Sequence, residues 1–219
     1  MTKRAALVTA RTLLAAPDPT EWIVRPLLVG GSAMMLYGRP GYGKTTLAMQ
    51  LAAAVAGGAE DWLKFPIECH GSVVWLQLDM PQPELKLLLT RLAVRWPNVL
   101  DKIHFLQVTQ EEAAVDEVDV LRGDAQLLAK EVCSIHPVVL FVDTAADTYE
   151  PVHQADQNQQ IRRVVRAFRH IATGGAVVYM QHQRKRAQNM FGDDPDAYLG
   201  GMAWSGIATS VMQLNTTQK

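Results

Sequence analysis

The segment YGRPGYGKTT, residues 37–46, constrains this chain more than any other feature, because it joins an apolar strand-like run (SAMMLY, 32–37) to a helix-like run (KTTLAMQLAAAVAGG, 44–58). It fits the pattern G-x-x-x-x-G-K-[ST] at Gly38, Gly43, Lys44 and Thr45, in the strand-then-helix context that the pattern requires. Glycines at 38, 41 and 43 let the backbone take positive φ and turn its amides inward. The result is a concave anion nest at the positive end of the helix starting near Lys44. Gly38, Arg39, Pro40, Gly41, Tyr42, Gly43, Lys44, Thr45 and Thr46 are therefore the expected nucleotide cradle. Lys44 can reach the β- and γ-phosphates, and the Thr45 hydroxyl is placed to bind Mg²⁺.

The rest of the chain supplies a sheet for such a loop. Apolar runs SVVWLQL (72–78), IHFLQV (103–108), VVLFV (138–142), AVVYM (176–180) and SVMQL (210–214) alternate with segments of helical spacing. Those helical segments begin at Lys44, Pro83, Asp119 and Asp156. Such alternation specifies an α/β fold with a mainly parallel, doubly wound sheet flanked by helices. The strands are apolar throughout, as burial on both faces demands. Residues 1–20 read as an N-terminal arm or short helix, broken by the prolines of APDP, and residues 21–219 as one domain.

Charge and cysteine content narrow the function. Lys and Arg total 21 against 22 Asp and Glu, a net charge of −1, so no overall basic field draws the chain to nucleic acid and any such contact must be local. Cys69 and Cys133 lack neighbours at metal-ligand spacing and read as idle thiols of a reducing cytosol. No apolar run approaches the ~18 residues of a membrane span, so a soluble cytoplasmic protein without a membrane partner is expected. The histidines at 70, 104, 136, 153 and 170 are scattered without ligand spacing and receive no role.

A phosphate loop needs a second metal partner. PVVLFVDTAAD places Asp143 at the carboxyl end of an apolar strand, the edge where open parallel sheets bind ligands. Asp143 is the candidate Walker-B carboxylate, holding Mg²⁺ through water; a turn or cap aspartate is the plainer alternative.

At this point the sequence resembles a known family. EWIVRPLLVGGSAMMLYGRPGYGKTTLAMQLAAAVAGG, GSVVWLQLDMPQPELKLLLTRL, VVLFVDTAADTY and AVVYMQHQRK are similar, in that order, to the RecA-like ATPases of the RepA type, hexameric replicative helicases of plasmids and their phage relatives. The resemblance spans Trp22 to Leu214 and implies a RecA core with the strand ending at Met180 between the P-loop and Walker-B strands. It implies ATP and Mg²⁺ as cofactors, a ring or filament of identical subunits, and single-stranded DNA as a partner. Gln181 and His182 match the family's sensor of the γ-phosphate. Strand alternation points one of them into the cleft, with His182 favoured.

Two departures qualify the resemblance. The family places glutamate where this chain has Asp79, one methylene shorter, so a general base here reaches roughly 1 Å less far and can lose on the order of 10²-fold in rate. Asp79 fits equally a turn that caps the next helix. Relatives carry an arginine finger on a strand after the equivalent of SVMQL, and none follows before Lys219. Arg184, Lys185 and Arg186 offer a substitute, a nucleic-acid loop or a solvated basic turn.

Further candidates are weaker. Trp22 and Tyr42 suit stacking on adenine or ribose, or ordinary packing. Arg162, Arg163, Arg166 and Arg169 have the helical spacing of a solvated face or subunit contact. Asp147 and Asp156 lie in a polar linker that could order around the nucleotide. The expected function is Mg²⁺-dependent ATP hydrolysis with Lys44, Asp79, Gln181 and His182 as catalytic residues and Thr45 and Asp143 at the metal, driving a helicase on single-stranded DNA. The alternative is a regulatory ATPase that hydrolyses little and controls partner contacts through nucleotide occupancy.

Overall fold

The structure, a computed structural model, describes residues 7–16, 20–106, 109–110, 113–114, 119–149, 157–182 and 203–215. In chain order the first elements are α1 (Ala10–Ala15), β1 (Trp22–Val24), β2 (Leu28–Val29), β3 (Ala33–Gly38), α2 (Lys44–Gly57), β4 (Asp61–Trp62), β5 (Phe65–Pro66), β6 (Val73–Gln77) and α3 (Gln82–Arg95). There follow β7 (Ile103–Leu106), β8 (Thr109–Gln110), β9 (Ala113–Ala114), α4 (Asp124–Cys133), β10 (Val139–Asp143), α5 (Gln157–Ile171), β11 (Ala176–His182), α6 (Ala203–Ile207) and β12 (Ser210–Leu214).

Six of these strands form one sheet in the order β12-β3-β11-β10-β6-β7, and every neighbouring pair is parallel. The strand after α5 thus lies between the P-loop strand β3 and the Asp143 strand β10, as the resemblance implies. All parallel strands end on one edge, and loops from four of them meet there.

Side-chain alternation sorts the core into two layers. Met34 and Leu36 of β3, Val73 and Trp75 of β6, Val139 and Phe141 of β10, and Val178 and Met180 of β11 pack with α2 and α3. Met35 and Tyr37, Val74 and Leu76, Leu140 and Val142, and Val177 and Tyr179 pack instead with α4, α5 and α6. Helix α2 reaches the sheet through a run from Ala48 to Ala56 in which small side chains allow close approach, and the stacked pair Trp75 and Phe141, 4.8 Å apart, fills the space beside it. On the other face Tyr179 donates to the carbonyl of fully buried Trp204 at 2.7 Å, tying α6 to β11.

Several expectations shift in detail. Helix α4 begins at Asp124 rather than Asp119, because the Asp119 carboxylate accepts from the amides of Leu121 (2.8 Å) and Arg122 (3.2 Å) and closes a turn first. Strand β11 runs two residues past Met180, pairing Gln181 with Tyr37 and His182 with Gly38. The hairpin β4–β5 was not anticipated. Its turn residues Leu63 and Lys64 have φ of 54° and 69°, a conformation that asparagine and glycine usually signal. Arg184, Lys185, Arg186 and Asp156 lie outside the described residues.

Candidate functional site

The same alternation that builds the core places the site. Continuing the α2-facing series past the last apolar residue leads to Gly38 on β3, His182 on β11, Asp143 on β10 and, two residues beyond Gln77, Asp79. Four strand ends therefore present their functional groups toward the first turn of α2.

The loop between Gly38 and Lys44 has the expected conformation with one correction. Gly41 and Gly43 have φ of 78° and 80°, and Gly43 caps α2 in the left-handed region. Gly38 is not among the positive-φ glycines; it is the last residue of β3, and a Cβ there would lie 2.9 Å from the carbonyl oxygen of Leu214 on β12. Close approach of the edge strand, not left-handed backbone, is what requires glycine at position 38.

Lys44 is only 5% exposed, and its Nζ donates to the carbonyls of Gly38 and Arg39, each at 3.2 Å, with His182 Nδ1 at 3.3 Å. An ammonium has donors only, so Nδ1 accepts and the ring proton resides on Nε2, which lies 3.5 Å from Asp79 Oδ2. His182 is thereby the link between the P-loop lysine and Asp79. Burial pushes the Lys44 pKa down, partly opposed by the carboxylates of Asp143 and Asp79. Gln181, on the opposite parity, is 1% exposed and turned to the α4–α5 layer. The amides of Leu78 and Asp79 donate to the Asp143 carbonyl at 2.8 and 3.2 Å, which fixes the Asp79 turn beside β10.

Thr45 Oγ1 donates to Asp143 Oδ2 at 2.7 Å. Asp143 is 1% exposed, and burial raises its carboxyl to about 6, with the Thr45 hydrogen bond opposing and Asp79 adding to the rise; Lys44 opposes and Asp147 adds smaller contributions. Two carboxylates, Asp143 and Asp79, thus act on the Lys44 ammonium, while a third, Asp147, acts on Asp143 and accepts from the Thr144 hydroxyl. Hard oxygen donors in negative surplus suit Mg²⁺, which takes one or two carboxylates and completes its shell with phosphate oxygens and water. Among the described residues no group of three His, Cys, Asp or Glu side chains could hold a metal ion alone, so Thr45 and Asp143 would hold it together with a bound phosphate.

A prediction follows for Asp143. Its carboxyl rises from 3.8 to about 6 on folding, so the folded state binds the proton more tightly and stability falls as pH rises through that window. About two units at 1.36 kcal/mol each gives roughly 3 kcal/mol as the cost of the buried charge at pH 8. Asp143→Asn should therefore make the nucleotide-free protein more stable at pH 8 in urea unfolding, with about half of that gain at pH 5, inside the window, while weakening Mg²⁺-dependent nucleotide binding. A variant less stable than wild type at pH 8 would show that this carboxylate is satisfied where it lies.

The remaining candidates separate. Tyr42 stays in the loop, its hydroxyl 3.5 Å from the Arg39 guanidinium. Trp22 pairs with Val29 and neighbours Glu21, whose carbonyl accepts from Gly30 ahead of β3, so it sits by the amino end of the strand whose carboxyl end carries the P-loop. About 3.3 Å per residue along β3 puts it out of reach of a nucleotide there. The ring instead lies under the Arg25 guanidinium, 4.9 Å away. Arg162, Arg163 and Arg166 are exposed along α5, and Arg169 is half-buried. None of the described helices is long and apolar enough to cross a membrane.

Parallel sheet, strand order and phosphate loop define a P-loop ATPase with a RecA-like core. A family model described as an AAA domain, AAA_25, matches residues 2–188, which include the loop, Asp79, Asp143, Gln181 and His182. The chain belongs to that family of P-loop ATPases.

Proposed function

We propose that the protein is an Mg²⁺-dependent ATPase that works as an assembly of identical subunits on single-stranded DNA, as RepA-type helicases do. The observation that carries this reading is the line from Lys44 through His182 to Asp79, because it links the phosphate-holding group, a strand-end sensor and a candidate base in one chain of contacts. The P-loop amides and Lys44 hold the phosphates, Thr45 and Asp143 hold the metal, and the metal when bound neutralises charge on the phosphate oxygens. Asp79 accepts a proton from the attacking water, and the His182 ring 3.5 Å away restricts where the carboxylate can turn. Gln181, on the same strand end, couples loss of that phosphate to the α4–α5 layer. Residues 21–219 act as the ATPase domain and the first 20 as an arm.

Self-association is supported by α1, in which every residue is exposed, with Leu13 at 62% and Leu14 at 88%, preceded by Leu7 at 104%. A helix whose leucines no described residue of its own chain covers is suited to a neighbouring subunit. The exposed arginines of α5 supply local positive charge on a chain that has none overall.

A second function is favoured by one observation. The Asp79 carboxylate is half exposed, 53%, and is a methylene shorter than glutamate, which suits a slow switch that reports nucleotide occupancy to partners. The two functions part on one experiment. For the motor, single-stranded DNA raises phosphate release several-fold, Asp79→Asn lowers it by about 10²-fold or more, and ATP increases the solution mass to that of a ring. If neither DNA nor Asp79→Asn changes the rate, the motor is excluded and the switch is the function.

A further inference from the structure

A cleft of about 400 Å³ lies between α2, α3 and the β4–β5 hairpin, on the sheet face that carries the site. Its size falls in the range of small-ligand pockets. Trp62, Trp96, Leu88 and Leu92 give it apolar walls, and Arg91 and Arg95, one helical turn apart on α3, line the same cleft. Both arginines are exposed, and neither has a carboxylate partner among the described residues. Trp62 is 5% exposed, yet its indole Nε1 is buried without a hydrogen-bond partner. That nitrogen is closed off from solvent, so the indole offers the cleft its ring and not its N–H. Opposite the arginines stands a single carboxylate, Asp61, already occupied with the Lys64 amide at 3.2 Å.

We propose that this cleft is a second ligand site, separate from the P-loop, for a small aromatic anion. A flat ring fills the space between the indoles and the leucines, and its acidic group pairs with the Arg91 and Arg95 guanidinia. The site is also placed to regulate. Thr46, in the first turn of α2 beside Lys44 and Thr45, lines one end of the cleft, while α3 starts three residues after Asp79. A ligand wedged between the two helices sets the spacing of the phosphate-holding residues from Asp79, and occupancy therefore changes turnover. That coupling rests on the ATPase function proposed above; binding itself does not.

The probe is 8-anilinonaphthalene-1-sulfonate, an aromatic anion whose fluorescence rises in apolar surroundings, titrated into the whole chain. The expected result is saturable binding of one probe per chain, weakened about tenfold or more in Arg91→Ala/Arg95→Ala. Lys44→Ala should bind the probe as wild type does, and saturating ATP with Mg²⁺ should not displace it. At saturation the probe should change the ATPase rate at least twofold. Unaltered binding by the double arginine variant overturns the site, as does binding to many sites without saturation. Displacement by ATP merges the cleft with the nucleotide site and overturns its independence, and an unchanged rate overturns the coupling. Should probe binding follow expectation in a protein without ATPase activity, the ligand site stands and the catalytic function falls.

Discussion

Lys44→Ala should abolish ATP turnover and leave the protein folded. The Nζ lies inside the nest, only 5% of the residue is exposed, and its hydrogen-bond partners are carbonyls of Gly38 and Arg39 with His182. A preorganised cation of this kind is worth about 10²–10³-fold in rate, because charge develops where it already waits and no reorganisation is needed. Stability moves little, since two effects oppose: the variant no longer pays to bury an ammonium, whereas Asp143 and Asp79 lose a favourable neighbour. Phosphate release and a thermal melt on the same preparation check both halves. Turnover within tenfold of wild type would remove the loop from the chemistry, and loss of the folded state would make Lys44 a structural residue.

Gly175→Ala should unfold or severely destabilise the chain. A Cβ at that position would meet three backbone carbonyl oxygens, of Pro137 at 2.2 Å, Val138 at 2.9 Å and Ala172 at 3.2 Å. Backbone cannot move aside as a side-chain tip can. The neighbouring Ala176 amide donates to Val138 at 2.9 Å, so relief of the clash opens the start of the β10–β11 ladder. Overpacking of this kind costs about 3 kcal/mol or more, well above the ~0.4–1 kcal/mol that Gly→Ala gains by stiffening the unfolded chain. Gly206 in α6 is the control, because a Cβ there meets nothing within 4 Å. In urea unfolding Gly206→Ala should match or exceed wild type; equal midpoints for the two variants would contradict the steric argument.

The site was legible in the sequence because parallel strands end on one edge. Apolar runs locate the strands, the residue after each run locates the edge and brings Asp79, Asp143, Gln181 and His182 to it, and alternation parts Gln181 from His182 onto opposite faces. Each of those steps uses local pattern alone. What stayed illegible depends on contacts between distant residues. Gly38 looked like another flexible loop glycine, and only the seating of Leu214 on β12 reveals that space, not φ, excludes a side chain there. The β4–β5 hairpin was hidden because Leu63 and Lys64 carry no turn signature, their left-handed backbone being imposed by surroundings that include the Asp61 carboxylate on the Lys64 amide. The α2–α3 cleft was hidden for the same reason, as its hairpin wall comes from that turn and its arginines read singly as helix surface. Trp22, read as a base-stacking candidate, falls at the wrong end of β3 because the β1–β2 ribbon runs along the amino edge of the sheet.

A crystal structure with a non-hydrolysable ATP analogue and Mn²⁺ in place of Mg²⁺, the metal found by its anomalous signal, tests the phosphate nest most directly. The triphosphate should lie in the loop between Gly38 and Thr45, with Lys44 Nζ moved from the Gly38 and Arg39 carbonyls to within roughly 3 Å of a β- or γ-phosphate oxygen and the metal between Thr45 and Asp143. A loop left empty while the nucleotide sits on another face of the sheet would contradict it.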